Sequence, residues 1–309
     1  MTKKRSSWKI VLTVIVFILL GYYLYKNQEV FIELRNLTVK DIIVVSILNV
    51  LMIATYAVLN KRMMDRIDKD VSYIDNFLMQ YANNFLNKIL PKGGAVFRGF
   101  YLKTVYNFPY SKFLSTVGGL YIITFISYSI LGLISLLIIY SQTGLYNILV
   151  TLCFIGLLIG TTIVIIVNPK INREKNSIFK VLDDILEGWK TIKQYPKDIL
   201  TFVLLNFVVL FLNTLKIYSL YNSLNLNLDF VRSLYLSTIS VITMFLSFTP
   251  DGIGVNEAFI AFSSDVLGFV PEKLVFGSLI SRAITTVISL LFGGICYFVL
   301  LHKAKNKTN

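Results

Sequence analysis

The sequence predicts an all-α polytopic membrane protein, and three observations carry that reading. Of 309 residues, 55% are hydrophobic and 15% charged, with a mean hydropathy of +0.69, whereas soluble domains carry about a quarter charged residues. Six apolar runs have the length a bilayer crossing needs, about 20 residues each. The basic excess, 30 Lys and Arg against 17 Asp and Glu, collects in alternate loops.

The runs are Ile10–Tyr25, Ile42–Leu59, Phe113–Tyr140, Asn147–Val167, Ile199–Tyr218 and Leu274–Leu301. The first is short, with Lys3, Lys4, Arg5 and Lys9 before it. Its exit, Tyr22-Tyr23-Leu24-Tyr25-Lys26, has no small-residue cleavage site, so it reads as an uncleaved anchor with tyrosines at the interface. Two further apolar stretches are interrupted. Phe77–Leu90 is too short to cross and carries Asn83, Asn84, Asn87 and Lys88; Leu234–Thr249 runs into Pro250-Asp251-Gly252-Ile253-Gly254 before continuing to Phe269. Apolar segments broken by Pro and Gly at membrane depth predict re-entrant hairpins or discontinuous helices. Loop charge does not separate a re-entrant 234–269 from two crossings, and the re-entrant form is the expectation.

One set of loops (1–9, 60–76, 91–112, 168–198 and 302–309) holds 22 basic residues, and the other set holds five. The positive-inside rule then places both termini in the cytoplasm of a multi-pass plasma-membrane protein. Basic residues scattered over five loops argue against nucleic-acid binding. In loop 168–198, Ile178, Leu182, Ile185, Trp189 and Ile192 fall on one helical face. This predicts an amphipathic helix in the inner interface, anchored by Trp189.

The two breaks resemble each other. Pro91-Lys92-Gly93-Gly94-Ala95-Val96-Phe97-Arg98 and Pro250-Asp251-Gly252-Ile253-Gly254-Val255-Asn256-Glu257 share Pro, Gly and Val, and each ends on a charge seven residues after the Pro. The offset of 159 carries Ile42–Leu59 and Phe113–Tyr140 onto the fifth and sixth spans, while the first span slips because of loop 168–198. The expectation is one transmembrane domain over 1–309, built from an inverted repeat of 1–140 and 141–309. Its binding site would lie where the broken elements meet.

Charges inside spans cost about 2.5–3.5 kcal/mol on insertion scales and therefore face protein or water. Arg98, Glu257 and Arg282 are the candidates, lined by Asn87, Gly93, Gly94, Gly252 and Gly254, with Pro91 and Pro250 as the helix breaks. Arg98 is expected to approach Glu257, with Arg282 as a second cation. The arginines suit phosphate oxygens and the carboxylate an amine; the bland alternative is a structural ion pair between hairpins. Asp251 reads as turn chemistry, and Asp265 and Lys216 as residues near the outer interface. A single histidine, His302 in the basic tail, excludes histidine triads and two-histidine metal sites, and both cysteines lie in apolar runs. No catalytic constellation, metal site or cofactor motif is expected.

Asn87 through Arg98 resembles the Asn-x-x-x-Pro-x-x-Gly-x-x-x-Arg segment of the lysylphosphatidylglycerol synthase transmembrane family. Pro250 through Ala258 is similar to its second Pro/Gly/Glu signature, and Ser281-Arg282 matches the arginine of its last long helix. The resemblance implies a flippase-like membrane domain, without the soluble domain that makes the lysyl lipid in fused members such as phosphatidylglycerol lysyltransferase. It implies a membrane phospholipid or polyprenyl-linked lipid as partner, lysyl-phosphatidylglycerol among them. The rival reading is a non-transporting subunit that binds a lipid-modifying enzyme through loop 168–198.

Overall fold

The computed structural model describes residues 18, 21–22, 25–26, 28–66, 70–90, 92–167, 177–246 and 249–308. Most of the first expected span, the beginning of loop 168–198 and Pro91 lie outside them. Every regular element among the described residues is helical, and five of the expected spans are helices long and apolar enough to cross a membrane.

A 3₁₀ segment (Gln28–Asn36) leads into α1 (Val39–Asp65). Thr38 caps α1: Asp41 Oδ2 accepts from the Thr38 backbone N–H at 2.9 Å, and Thr38 Oγ1 accepts in return from the Asp41 N–H. Satisfying these otherwise orphaned donors fixes the helix start. Then come α2 (Tyr73–Ile89), α3 (Gly93–Tyr106), α4 (Tyr110–Thr143), α5 (Ile148–Val167), α6 (Ser177–Lys193) and α7 (Pro196–Ser223). The chain closes with α8 (Phe230–Leu246), α9 (Val255–Phe262), α10 (Ser264–Leu267), α11 (Pro271–Ile288), a π-turn (Ser289–Gly293) and α12 (Gly294–Thr308).

Both interrupted stretches fold back as hairpins, as a re-entrant segment would. Helix α2 has 17 residues, roughly 25 Å of rise, and the chain then doubles back. Tyr101 and Tyr106 of α3 donate to Asp75 at the start of α2, each at 2.7 Å. Helix α8 also has 17 residues, and Ser263, after α9, lies 2.8 Å from the hydroxyl of Tyr235 near the start of α8. Each hairpin therefore ends where it began.

Helix α4 is the central post. Half of its apolar window is buried, against 11% for α5, which lies at the edge. Small residues set these distances. A Cβ on Gly132 would fall 2.5 Å from the Phe154 ring of α5, and one on Gly188 of α6 would fall 1.7 Å from the Ser115 carbonyl oxygen of α4. This close approach revises the expectation for loop 168–198. The helix forms, and of the expected apolar face Ile192 is fully buried and Trp189 packs with it against residues of α1, α4 and α7, so this part of the face meets protein; the side chains of Ile178, Leu182 and Ile185 lie outside the described residues.

Ion pairs pin the ends of the bundle. At one end Arg66 pairs with Asp198 at 2.7 Å and Lys303 with Asp75 at 2.8 Å. At the other, Lys273 meets Glu33 at 3.0 Å, and Ser223 donates to Asp41 at 2.7 Å.

Candidate functional site

The two hairpins enter from opposite ends and meet at their tips. Lys88, near the end of α2, forms an ion pair with Asp251, in the break after α8. The backbones of the two tips match as well. Lys92 (φ 61°, ψ 14°) and Asp251 (φ 51°, ψ 20°) each follow the break proline and adopt the left-handed conformation that reverses the chain. This conformation is uncommon outside glycine, and its recurrence at positions 159 residues apart supports the repeat drawn from the sequence. Gly252 (φ 69°) and Gly254 (φ 83°) complete the second reversal, where a side chain would be strained.

Glu257, 3% exposed, opens α9. It accepts from the Gly254 N–H at 2.7 Å, from Ser278 Oγ at 3.2 Å and from Arg282 Nη2 at 3.0 Å. Arg282 also donates through Nη1 to the Asp251 carbonyl at 2.8 Å and its carboxylate at 3.1 Å. Lys88, Asp251, Arg282 and Glu257 thus form one chain of alternating charge across the hairpin tips. Such pairing is what makes carboxylates tolerable at membrane depth.

Arg98 stands apart from this network, so its expected approach to Glu257 is not formed. Its Nη2 donates to Asn60 Oδ1 at 2.8 Å, and its guanidinium lies 5.3 Å from the centroid of the Phe113 ring. Asn60 is itself oriented by donating through Nδ2 to the Tyr56 carbonyl at 2.6 Å. Arg98 is 7% exposed, and its Nε is buried with no hydrogen-bond partner among the described residues. No carboxylate among the described residues pairs with it. The glycines of the first break serve packing: a Cβ on Gly94 would sit 2.4 Å from the Asn83 carbonyl oxygen, and one on Gly93 would sit 3.0 Å from that of Leu86. Asn87 Oδ1 accepts from the Gly94 N–H at 2.9 Å, satisfying the start of α3.

Between the hairpins and α1, α4, α7 and α11 lies a cavity of about 850 Å³, lined in part by Lys88, Arg98, Lys216, Asp251 and Arg282. Asn83, Asn84 and Asn87 line it as well. Sequence reasoning missed or misplaced six contributors. Asp251 does more than shape a turn, since it bridges Lys88 and Arg282. Lys216 faces the cavity instead of the outer interface, within electrostatic reach of Lys88, Asp251 and Arg282. Asn49 and Asn60 on α1, and Asn206 and Asn213 on α7, are also cavity-lining. Spacings of 11 on α1, and of 7 then 3 from Asn206 through Asn213 to Lys216 on α7, put each set on one helical face. That periodicity inside apolar spans was the usable signal. Among the described residues no group of three His, Cys, Asp or Glu side chains gathers that could hold a metal ion.

Two helical hairpins meeting over a polar cavity within a bundle of apolar helices define a polytopic membrane protein with an internal polar cavity. The chain belongs to the family described as the lysylphosphatidylglycerol synthase TM region, whose model matches residues 8–293. It is also 27% identical, over 243 residues, to a UPF0104 membrane protein of Methanocaldococcus jannaschii; the match covers 72% of this chain and 99% of that relative. No solved structure matches it.

Proposed function

We propose that the protein moves an anionic phospholipid between leaflets, taking the headgroup into the cavity where the two hairpins meet. The observation that carries this reading is Arg98: a guanidinium 7% exposed, lining the cavity, with no carboxylate partner and a buried Nε left unbonded among the described residues. An uncompensated buried charge costs several kcal/mol, and a phosphate at this point removes the cost while meeting a fork that suits its oxygens. The headgroup class follows from the carboxylates. Asp251 and Glu257 are both engaged by Lys88 and Arg282, so neither is free for an amine. This favours phosphatidylglycerol itself over its lysyl ester.

The ion chain at the tips supplies a gate. A phosphate arriving beside Lys88 and Arg282 competes with Asp251 for them, and loosening that contact lets the tips separate. The rival subunit reading is less favoured because Trp189 and Ile192, on the apolar face of α6, pack against α1, α4 and α7.

Headgroup-labelled phosphatidylglycerol in proteoliposomes, followed by external quenching, tests the proposal. Wild type is expected to expose the inner-leaflet label rapidly and Arg98→Gln to do so only at the rate of empty vesicles. Transport by the Arg98→Gln protein at the wild-type rate would refute the assignment of the phosphate to Arg98. Wild-type vesicles that leak no faster than empty ones, for phosphatidylglycerol and its lysyl ester alike, would refute translocation of these lipids.

A further inference from the structure

We propose that Lys216 is a second phosphate-binding group of the cavity, so that a monoanionic phosphodiester lipid is handed between two separate cationic stations; this rests on the translocation reading above. Lys216 sits on α7, partly buried, facing the cavity, with no hydrogen-bond or ion-pair partner among the described residues. Its charged neighbours are Lys88, Asp251 and Arg282. Asp251 is already shared by Lys88 and Arg282, and Glu257 is taken by Arg282. Three cations therefore face two carboxylates, and this cluster is one negative charge short of neutrality. The Arg98 station, with the Asn60 amide and the Phe113 ring at the guanidinium, Tyr121 nearby and no carboxylate paired with it among the described residues, is short by one as well. A phosphodiester carries that single charge and completes either station, whereas a phosphate dianion overfills both.

The stations are distinct. Thr124 of α4 donates to Asn206 of α7 at 2.9 Å, which fixes the register of the two helices. Lys216 lies ten residues beyond Asn206, on the order of 15 Å along the axis. Arg98 lies on the opposite side of that contact, over Phe113, which precedes Thr124 on α4. One phosphate cannot touch both, so a lipid that uses both must move between them. Lys216 also shares a face with Asn213, which supplies a neutral donor beside the path.

The test uses the full chain in neutral detergent, with thermal stabilisation as the binding readout. The probes are short-chain phosphatidylglycerol, short-chain phosphatidylcholine and inorganic phosphate. Lys216→Gln is expected to melt like wild type without lipid and to need about tenfold more phosphatidylglycerol for half-stabilisation, the loss of one charge-assisted hydrogen bond. Lys216→Arg is expected to restore most of that affinity, and combining Lys216→Gln with Arg98→Gln to abolish the response. Where Lys216→Gln fails to fold, Lys216→Met takes its place with the same expectation. Unchanged phosphatidylglycerol affinity in these variants would overturn the proposal. Equal stabilisation of wild type by inorganic phosphate would assign the station to a free anion and overturn the lipid class. Equal stabilisation by phosphatidylcholine would overturn the charge argument. Translocation is scored separately: lipid that binds as expected but does not move in wild-type vesicles defeats the translocase reading and leaves the Lys216 station standing.

Discussion

The two hairpins carry a charge at the same place, seven residues past the break proline, and treat it in opposite ways. In the second hairpin Glu257 is held by a backbone N–H, a serine hydroxyl and Arg282. In the first, Arg98 is equally hidden but has an amide oxygen and an aromatic ring for company. A buried charge with both oxygens bonded serves the scaffold, and on the proposed function one left a charge short serves a ligand. On the proposed function the repeat divides its labour: one half fixes the tips and the other leaves a place for an anion.

The largest effect is expected where the scaffold charge is removed. Glu257→Ala takes from Arg282 one of its two carboxylates and from Ser278 and the Gly254 N–H their acceptor, and is expected to cost roughly 3–5 kcal/mol, the range for breaking a buried pair, seen as lost monodisperse protein or a lowered melting temperature in detergent. A melting temperature within a degree of wild type would erase the distinction between the hairpins. Next comes Gly94→Ala, which drives a Cβ toward the Asn83 carbonyl, 2.4 Å away. Overpacking at about 1–3 kcal/mol is expected, read as easier proteolysis between α2 and α3. Lys88→Met frees Asp251 from one of two cations and is expected to cost about 1 kcal/mol, near the upper end for a partly screened pair. A cysteine pair placed on the two tips should cross-link more slowly in that background. Arg98→Gln stands at the other end of the scale: it is expected to lose no stability and to melt at or above wild type, since the lost guanidinium had no carboxylate partner among the described residues.

How much of this was legible follows from which residues carry each feature. Spans were readable because apolar length is a local property, and five of them coincide with helices. The hairpins were readable from Pro and Gly, since few residues permit the reversals seen at Lys92 and Asp251. The meeting of the tips was legible from the 159-residue offset, but the pairing across it was not. Arg98 and Glu257 were matched because they occupy equivalent positions, yet in the fold Asp251 reaches Lys88, and Glu257 turns to Arg282. Equivalent positions in an inverted repeat are related by a two-fold axis and need not touch, and sequence spacing carries no information on which side chain crosses that axis. Lys216 was misplaced for a related reason. Its distance along α7 from the basic end suggested the far interface, while the inward-facing polar stripe it shares with Asn206 and Asn213 was the better guide. The amphipathic spacing of α6 located the helix, but its protein cover depends on Gly188 fitting against Ser115, a tertiary fact.

The contrast between the hairpins is tested most directly by melting Arg98→Gln and Glu257→Gln side by side in neutral detergent, with and without phosphatidylglycerol. Glu257→Gln is expected to melt lower than wild type in both conditions while keeping the lipid-induced rise. Arg98→Gln is expected to melt at or above wild type without lipid and to lose most of that rise. Arg98→Gln that melts as low as Glu257→Gln and still responds fully to lipid would contradict the account, making both charges parts of one scaffold.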